Sequence, residues 1–164
     1  DNPVEIGFHD RGPMRLGDVG SGGSWSIYWY NGYLVNSEIF RGLDIFELAA
    51  SPYLTQNEID ASKTVVLDQL NVQGQPMYHW PATFALAKAY VDQLDRDPAV
   101  SDEMIQTLRA GIARAEASGD KALLLEMAAM VSSNATGGAA DSSAYTAAGK
   151  MSQLASTLRE LAQG

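Results

Sequence analysis

The strongest alternation of β-forming residues lies in residues 23–48, with the sequence GSWSIYWYNGYLVNSEIFRGLDIFEL. Its centre is Asn31-Gly32, a pair that favours a type I′ turn because both central residues of that turn need positive φ. The turn predicts an antiparallel hairpin, and a second turn at Arg41-Gly42 predicts a third strand over residues 43–48. The predicted cross-strand pairs are Tyr30 with Tyr33, Tyr28 with Val35, Ser26 with Ser37, Trp29 with Leu34, Ile27 with Asn36, and Trp25 with Glu38.

Both faces of this sheet are apolar in the predicted register. One face carries Trp25, Ile27 and Trp29, the other carries Tyr28, Tyr30, Val35 and Ile39, and the third strand divides Leu43 and Ile45 from Phe46 and Leu48 in the same way. A sheet with one face in water alternates apolar with polar residues, so we expect both faces to be covered. Helices, a partner protein or a neighbouring sheet of a propeller would provide that cover.

Two further patterns complete the predicted fold. Residues 4–10, VEIGFHD, alternate like a strand and precede a glycine-rich loop at residues 14–22. After residue 50 the apolar spacing changes to three and four residues, which is typical of helices. Helices are predicted at residues 55–70, where Thr55 and Glu58 form a capping box, and at residues 81–95, 101–118, 120–131 and 143–162. The fold class is therefore α+β, with a small antiparallel sheet of about four strands over residues 1–50 and an antiparallel bundle of about five helices over residues 51–164.

Charge and composition narrow the classes of partner and chemistry. Eleven Lys and Arg residues against 20 Asp and Glu residues give a formal net charge of −9, which disfavours nucleic acid and anionic membranes because both need a basic face. The chain has no cysteine, which excludes thiol catalysis, zinc–thiolate sites and disulfides. No apolar run reaches the roughly 20 residues that span a bilayer. The chain does not begin with Met, so we expect that an upstream segment was removed.

The two histidines do not complete a catalytic or metal site. His9 shares a predicted strand with Glu5 and precedes Asp10, but no third ligand follows at a defined spacing. His79 lies in a loop with no nucleophile nearby. The acidic corner at residues 95–103 lacks the glycine and glutamate positions of a calcium-binding EF-hand loop. We therefore predict no catalytic residue, no metal ligand and no cofactor.

An aromatic cluster is the remaining candidate for recognition. Its members are Trp25, Tyr28, Trp29, Tyr30 and Tyr33, and Ile39 follows them on the second strand. Aromatic side chains fill cores and contacts between sheets, but they also stack on sugars or grip peptides. Both interpretations stay open from the sequence, and these six residues form the predicted recognition or interface surface.

Three segments resemble the end of a bacterial LVIVD-repeat β-propeller protein. NPVEIG at residues 2–7 resembles the strand that follows the family's DVSDPxNP turn, and WSIYWYNG at residues 25–32 resembles the aromatic first strand of the last repeat. RGLDIFEL at residues 41–48 resembles a degenerate GLxIVDV strand. The resemblance implies last-blade strands followed by a helical tail, in an exported protein, extracellular or periplasmic, that binds other molecules without an established reaction. A propeller needs at least four blades, and this chain holds about one, which implies a fragment or one chain of a split assembly.

The leading hypothesis is a non-catalytic chain that acts in protein–protein association or surface binding. Its predicted partner is the remainder of its own propeller, a second copy or another subunit, without nucleic acid and without a membrane span. One alternative is a non-catalytic subunit or interface part of a larger enzyme complex. Another is a carbohydrate-binding module that uses the Trp and Tyr cluster.

Overall fold

The computed structural model describes residues 3–17, 20, 22–135 and 146–164. They form a three-stranded antiparallel sheet followed by five α-helices, which confirms the predicted α+β class. The chain divides into two compact units, Asp1–His79 and Trp80–Gly164, and each is described by itself. The sequence places a boundary after residue 50, where strand patterns give way to helical ones. The compact units divide later, after the first helix and the loop that follows it.

The first unit contains the sheet and one helix. β1 spans Ser24–Tyr30, β2 spans Tyr33–Glu38 and β3 spans Gly42–Glu47, with β2 in the centre. α1 spans Gln56–Ser62, and a short 3-10 helix follows at Val72–Gly74. Both connections between strands are short, so the sheet is an antiparallel meander in which β1 and β3 are the edge strands.

The register of the hairpin follows from its turn. Asn31 has a φ of 50° and Gly32 a φ of 86°, so both central residues have the positive φ that a type I′ turn requires. Five of the six predicted pairs are confirmed, from Tyr30 opposite Tyr33 at the turn to Ser26 opposite Ser37. A local turn therefore fixes which side chains share each face of the sheet.

The sixth predicted pair is wrong. Ser24 lies opposite Glu38, and Trp25 is the extra residue of a β-bulge between Ser24 and Ser26. The carboxylate of Glu38 accepts a hydrogen bond from the backbone N–H of Gly23 at 2.8 Å. This bond holds the start of β1 one residue out of the simple register, and a bulge takes up the additional residue.

α1 begins as predicted but ends early. Its capping box is confirmed, since Thr55 accepts from Glu58 N and the Glu58 carboxylate accepts from Thr55 N at 2.7 Å. The helix ends at Ser62, eight residues before the predicted end at residue 70. The backbone N–H of Leu67 donates to the Asn31 side chain at 2.8 Å, whereas a continued helix would commit it to the carbonyl of residue 63. Three β-branched residues at 64–66 also disfavour helix.

The predicted strand at residues 4–10 is wrong. No strand includes these residues in the described part of the first unit, so the sheet has three strands. Residues 9–11 contact β3 through side chains instead. The His9 and Phe46 rings lie 4.7 Å apart, and Arg11 Nη1 lies 2.9 Å from Asp44 Oδ1. Alternation of apolar and polar residues is a property of one segment, whereas a β-strand also needs hydrogen bonds to the backbone of a second strand.

The described residues of the second unit form a bundle of four helices, because α1 belongs to the first unit. α2 spans Phe84–Asp95, α3 spans Asp102–Ser118, α4 spans Lys121–Ala135 and α5 spans Ala147–Gln163. The largest fully buried side chains of the bundle are Val91, Leu94, Ile105, Leu108, Ile112, Val131, Leu154 and Leu158. The predicted start of the last helix at residue 143 lies outside the described residues. None of the described helices combines the length and apolarity that a membrane crossing requires.

Candidate functional site

Register and strand alternation assign the residues of the sheet to two faces. The aromatic face consists of Ser26, Tyr28, Tyr30, Tyr33, Val35, Ser37, Leu43, Ile45 and Glu47. The cleft face consists of Ser24, Ile27, Trp29, Leu34, Asn36, Glu38, Asp44 and Phe46. The two faces differ in polarity and in what covers them.

The aromatic face leaves large apolar side chains in water. Leu43 is 61% exposed and Ile45 is 62% exposed, and Tyr28 and Tyr33 beside them are also exposed. The register places Ile45 next to Val35 and Val35 next to Tyr28, so these side chains form a continuous row across all three strands. Continuous exposed apolar surface of this kind marks contact sites in soluble proteins.

The six predicted recognition residues do not form one surface. Tyr28, Tyr30 and Tyr33 lie on the aromatic face, Trp29 lies on the cleft face, Trp25 lies at the bulge and Ile39 follows β2. Trp29 meets Tyr78 edge-on, with ring centroids 5.3 Å apart, and is therefore part of the packing of the first unit. Trp25 is 78% exposed. Leu43 and Ile45 were predicted only as apolar strand residues. They were not among the predicted recognition residues, which were chosen mainly for their aromatic rings.

The outer edge of β3 adds backbone groups to this surface. No described strand pairs with that edge, because the sheet order is β1-β2-β3. The closing pair of a two-residue hairpin is hydrogen-bonded, so the odd-numbered residues of β2 bond to β1 and the even-numbered ones to β3. The alternation continues into β3 and directs the backbone groups of Leu43, Ile45 and Glu47 outward. An unpaired edge is a template for strand addition.

A polar chain crosses the cleft face. Arg11 pairs with Asp44, Asp44 Oδ2 accepts from Asn36 Nδ2 at 3.2 Å, and Asn36 Oδ1 accepts from the Ser24 hydroxyl. Residues 9–14 form the opposite wall of a cleft of about 560 Å³ above these side chains. Because Asn36 is buried, its amide needs these partners within the protein.

Glu38 connects the residue before β1 to the turn between β2 and β3. Its carboxylate accepts backbone N–H groups from Gly23 at 2.8 Å, from Phe40 at 2.9 Å and from Arg41. The bond from Gly23 is the largest of the causes that hold the pKa of Glu38 below its ordinary value. Both carboxylate oxygens therefore have partners within the described residues, which favours a structural role for Glu38 over a chemical one.

The turn end of the sheet is fixed to the segment after α1. The Asn31 side chain accepts from Leu67 N at 2.8 Å and donates to Leu67 O at 3.0 Å, and the Tyr30 hydroxyl donates to Leu67 O at 3.0 Å. Lys63 pairs with Glu47 at 2.8 Å, and the hydrogen bond to this carboxylate is the main cause that raises the pKa of Lys63. These bonds attach the segment after α1 to the turn end of the aromatic face.

Within the described ranges, no three or more His, Cys, Asp or Glu side chains form a group that could hold a metal ion. The His9 ring meets the Phe46 ring at an interplanar angle of 55°, while His79 is exposed near the end of the first unit. Four polar side chains of the cleft are engaged with one another, namely those of Arg11, Asp44, Asn36 and Ser24. These contacts hold the polar side chains of the cleft face in fixed positions.

The second unit offers a weaker candidate. A groove of about 630 Å³ runs between α3 and α4, lined by Thr107, Ala110, Gly111, Arg114, Leu123, Glu126, Met127 and Met130. Elsewhere in this unit Arg109 bridges Asp92 at 2.9 Å and Asp95 at 3.0 Å, and its bond to Asp92 is the main cause that raises the Arg109 pKa. Burial raises the pKa of Tyr90. The two ion pairs of Arg109 connect α3 to α2 within the bundle.

Family models, curated proteins and solved structures were compared with this chain, and none of them matches it.

Proposed function

We propose that this chain is a non-catalytic module that acts by protein–protein association through the aromatic face and the outer edge of β3. The observation that carries the proposal is the exposure of Leu43 and Ile45, 61% and 62%, on a row continuous with Tyr28 and Tyr33. Burying such side chains stabilises a complex by about 1.5–3 kcal/mol for each full side chain. Open backbone groups along β3 would add directional hydrogen bonds to a partner strand.

The partner that best fits this surface is another β-structure with an apolar face. In its specific form the proposal makes the chain the C-terminal segment of an exported LVIVD-like β-propeller protein, extracellular or periplasmic. The support is the resemblance of residues 25–32 and 41–48 to strands of that family, together with an antiparallel meander whose apolar face is uncovered. Neighbouring propeller blades cover each other's faces, so the preceding repeat segment would be the natural occupant.

A second candidate function follows from the position of Trp25. Its ring is 78% exposed at the bulge, and exposed aromatic rings stack on sugars as well as on protein side chains. A carbohydrate-binding module would use Trp25 with the exposed Tyr28. Titration of the chain with a glycan panel, followed by tryptophan fluorescence, separates this function from protein association. A saturable change that is lost in Trp25→Ala would favour sugar binding.

Site-specific photo-cross-linking tests the proposed protein interface. A benzophenone amino acid replaces Ile45 in the full-length protein in its producing cells, and mass spectrometry identifies what it captures. The matched control replaces Leu125, which is exposed on α4 in the second unit. We expect a defined product at position 45 that joins the chain to a partner polypeptide and that is absent at position 125. The same products at both positions, or none at position 45, would contradict the proposal.

A further inference from the structure

Residues 4–8 have the pattern of a strand but no strand partner. Val4, Ile6 and Phe8 alternate with Glu5 and Gly7, and all three apolar side chains are exposed, Phe8 to 88%. No strand includes them in the described part of the chain. Three alternate apolar side chains on an extended segment are ready to cover one face of a sheet edge.

Residues 9–11, which come directly after this segment, contact β3. The His9 ring lies 4.7 Å from the Phe46 ring, and Arg11 pairs with Asp44 at 2.9 Å. From residue 9 to residue 11 the contacted position moves from 46 to 44, so this segment runs antiparallel to β3. Its contacts are made by side chains on the cleft face, and no described strand occupies the outer backbone edge of β3. Phe8 precedes His9 and therefore lies close to the end of β3. From there residues 4–8 can reach roughly 16 Å further when extended, at about 3.3 Å per residue.

We infer that residues 4–8 of one copy of this chain add as a fourth strand to the outer edge of β3 in a second copy. Leu43 and Ile45 supply both the outward backbone groups and the exposed side chains of that edge. An added strand would place alternate side chains beside them, and Val4, Ile6 and Phe8 have the matching period. The inference rests on the proposed function, because it names the occupant of the same surface.

The exchange is reciprocal by geometry. The side chains of residues 9 and 11 stay attached to the cleft face of β3 in their own copy, so each donated segment leaves close to the edge that receives the partner's segment. Two facing β3 edges can therefore exchange segments about a two-fold axis, which gives a closed dimer. Each copy carries a formal net charge of −9, so repulsion opposes the dimer and added salt should strengthen it by screening.

Sedimentation of the full chain over a range of concentrations, with hydrogen exchange at each concentration, tests the inference. We expect a dimer in which residues 4–8 and 43–47 gain protection together as concentration rises. Ile6→Asp and Phe8→Asp should each weaken the dimer by about tenfold or more, because a charge enters the added strand. Phe8 is exposed, so its replacement leaves the monomer folded. The matched control is Leu16→Asp, at a side chain that is 96% exposed outside residues 4–8.

The outcomes separate this inference from the proposed function. A dimer that is weakened by Ile6→Asp and Phe8→Asp, but not by Leu16→Asp, supports strand exchange. A dimer that survives both changes and is lost in Ile45→Asp overturns the exchange while the proposed interface stands. A chain that is monomeric at all concentrations also overturns the exchange. The proposed function then depends on cross-linking to another protein at position 45.

Discussion

The side chain of Asn31 is hydrogen-bonded twice to the backbone of Leu67, accepting from Leu67 N at 2.8 Å and donating to Leu67 O at 3.0 Å. The same residue has a φ of 50° in the hairpin turn. Asn tolerates this conformation better than most residues, and its amide can satisfy a peptide group in both directions. One residue thus sets the register of the sheet and attaches the segment after α1 to it.

The double bond between Asn31 and Leu67 should stabilise the first unit measurably. Asn31→Gly keeps the turn, since Gly accepts positive φ, but removes both hydrogen bonds, and we expect a loss of about 1–3 kcal/mol. Asn31→Asp is the matched variant, because it retains the acceptor and places a carboxylate oxygen near Leu67 O. Native-state hydrogen exchange of β2 amides measures the loss. Unchanged protection in Asn31→Gly would show that these bonds contribute nothing to stability.

Gly32 should resist substitution for two separable reasons. Its φ is 86°, and a Cβ at this position would lie 2.6 Å from Lys63 Cγ. We expect Gly32→Ala to cost about 1–2 kcal/mol from the left-handed backbone, with a further cost from the contact. The double variant Gly32→Ala with Lys63→Ala removes the contact and leaves the backbone cost. Gly7→Ala is the control, because an added Cβ there meets nothing within 4 Å. Equal urea midpoints for Gly32→Ala and Gly7→Ala would contradict this expectation.

Glu38 should make the first unit sensitive to acid. Its pKa is lowered in the folded state, mainly by the hydrogen bond from Gly23, so its contribution to stability is present above the unfolded pKa. That contribution is lost as the pH falls through the lowered folded pKa. We therefore expect Glu38→Gln to be less stable than the unsubstituted chain at neutral pH and the difference to shrink in acid. Unfolding of both chains between neutral pH and about pH 3 measures it, with the exposed Glu5→Gln as control. A difference that stays constant with pH would argue against a charged anchor.

The second unit should depend on its buried leucines. Leu108 is fully buried in the bundle core, and Leu108→Ala should cost about 2–5 kcal/mol through lost burial and a cavity. Leu125 is half exposed on α4, so Leu125→Ala should stay within about 0.5 kcal/mol. Thermal unfolding of the helices by circular dichroism compares the two. Similar losses in both variants would mean that the core of the bundle is placed wrongly.

Local chemistry made most of the hairpin predictable. The Asn-Gly pair fixes the turn and hence five cross-strand pairs, and Thr55 with Glu58 fixes the start of α1. These features depend on residues a few positions apart, so a short window of sequence contains their causes. The apolar spacing of the second unit likewise shows its helices in the sequence, although α2 begins at Phe84 and not at the predicted residue 81.

Contacts between distant residues account for the failures. The end of α1 depends on Leu67 meeting Asn31, and the bulge at Trp25 depends on Glu38 meeting Gly23. No window around either residue contains its partner. The strand pattern at residues 4–10 likewise gives no information about whether a sheet edge is available. Alternation also could not show that Leu43 and Ile45 stay exposed while Trp29 packs against Tyr78, so the candidate surface became clear only from the fold.

Radical footprinting in the producing cells tests the central claim most directly, namely that the aromatic face is a protein interface. Hydroxyl radicals oxidise exposed Tyr, Leu and Ile side chains, so Tyr33, Leu43 and Ile45 should be modified readily in the isolated chain at concentrations where it is monomeric. In the native assembly we expect these three to be protected, while the exposed Leu125 on α4 is modified equally in both states. Equal modification of Tyr33, Leu43 and Ile45 in the isolated and assembled states would contradict the claim.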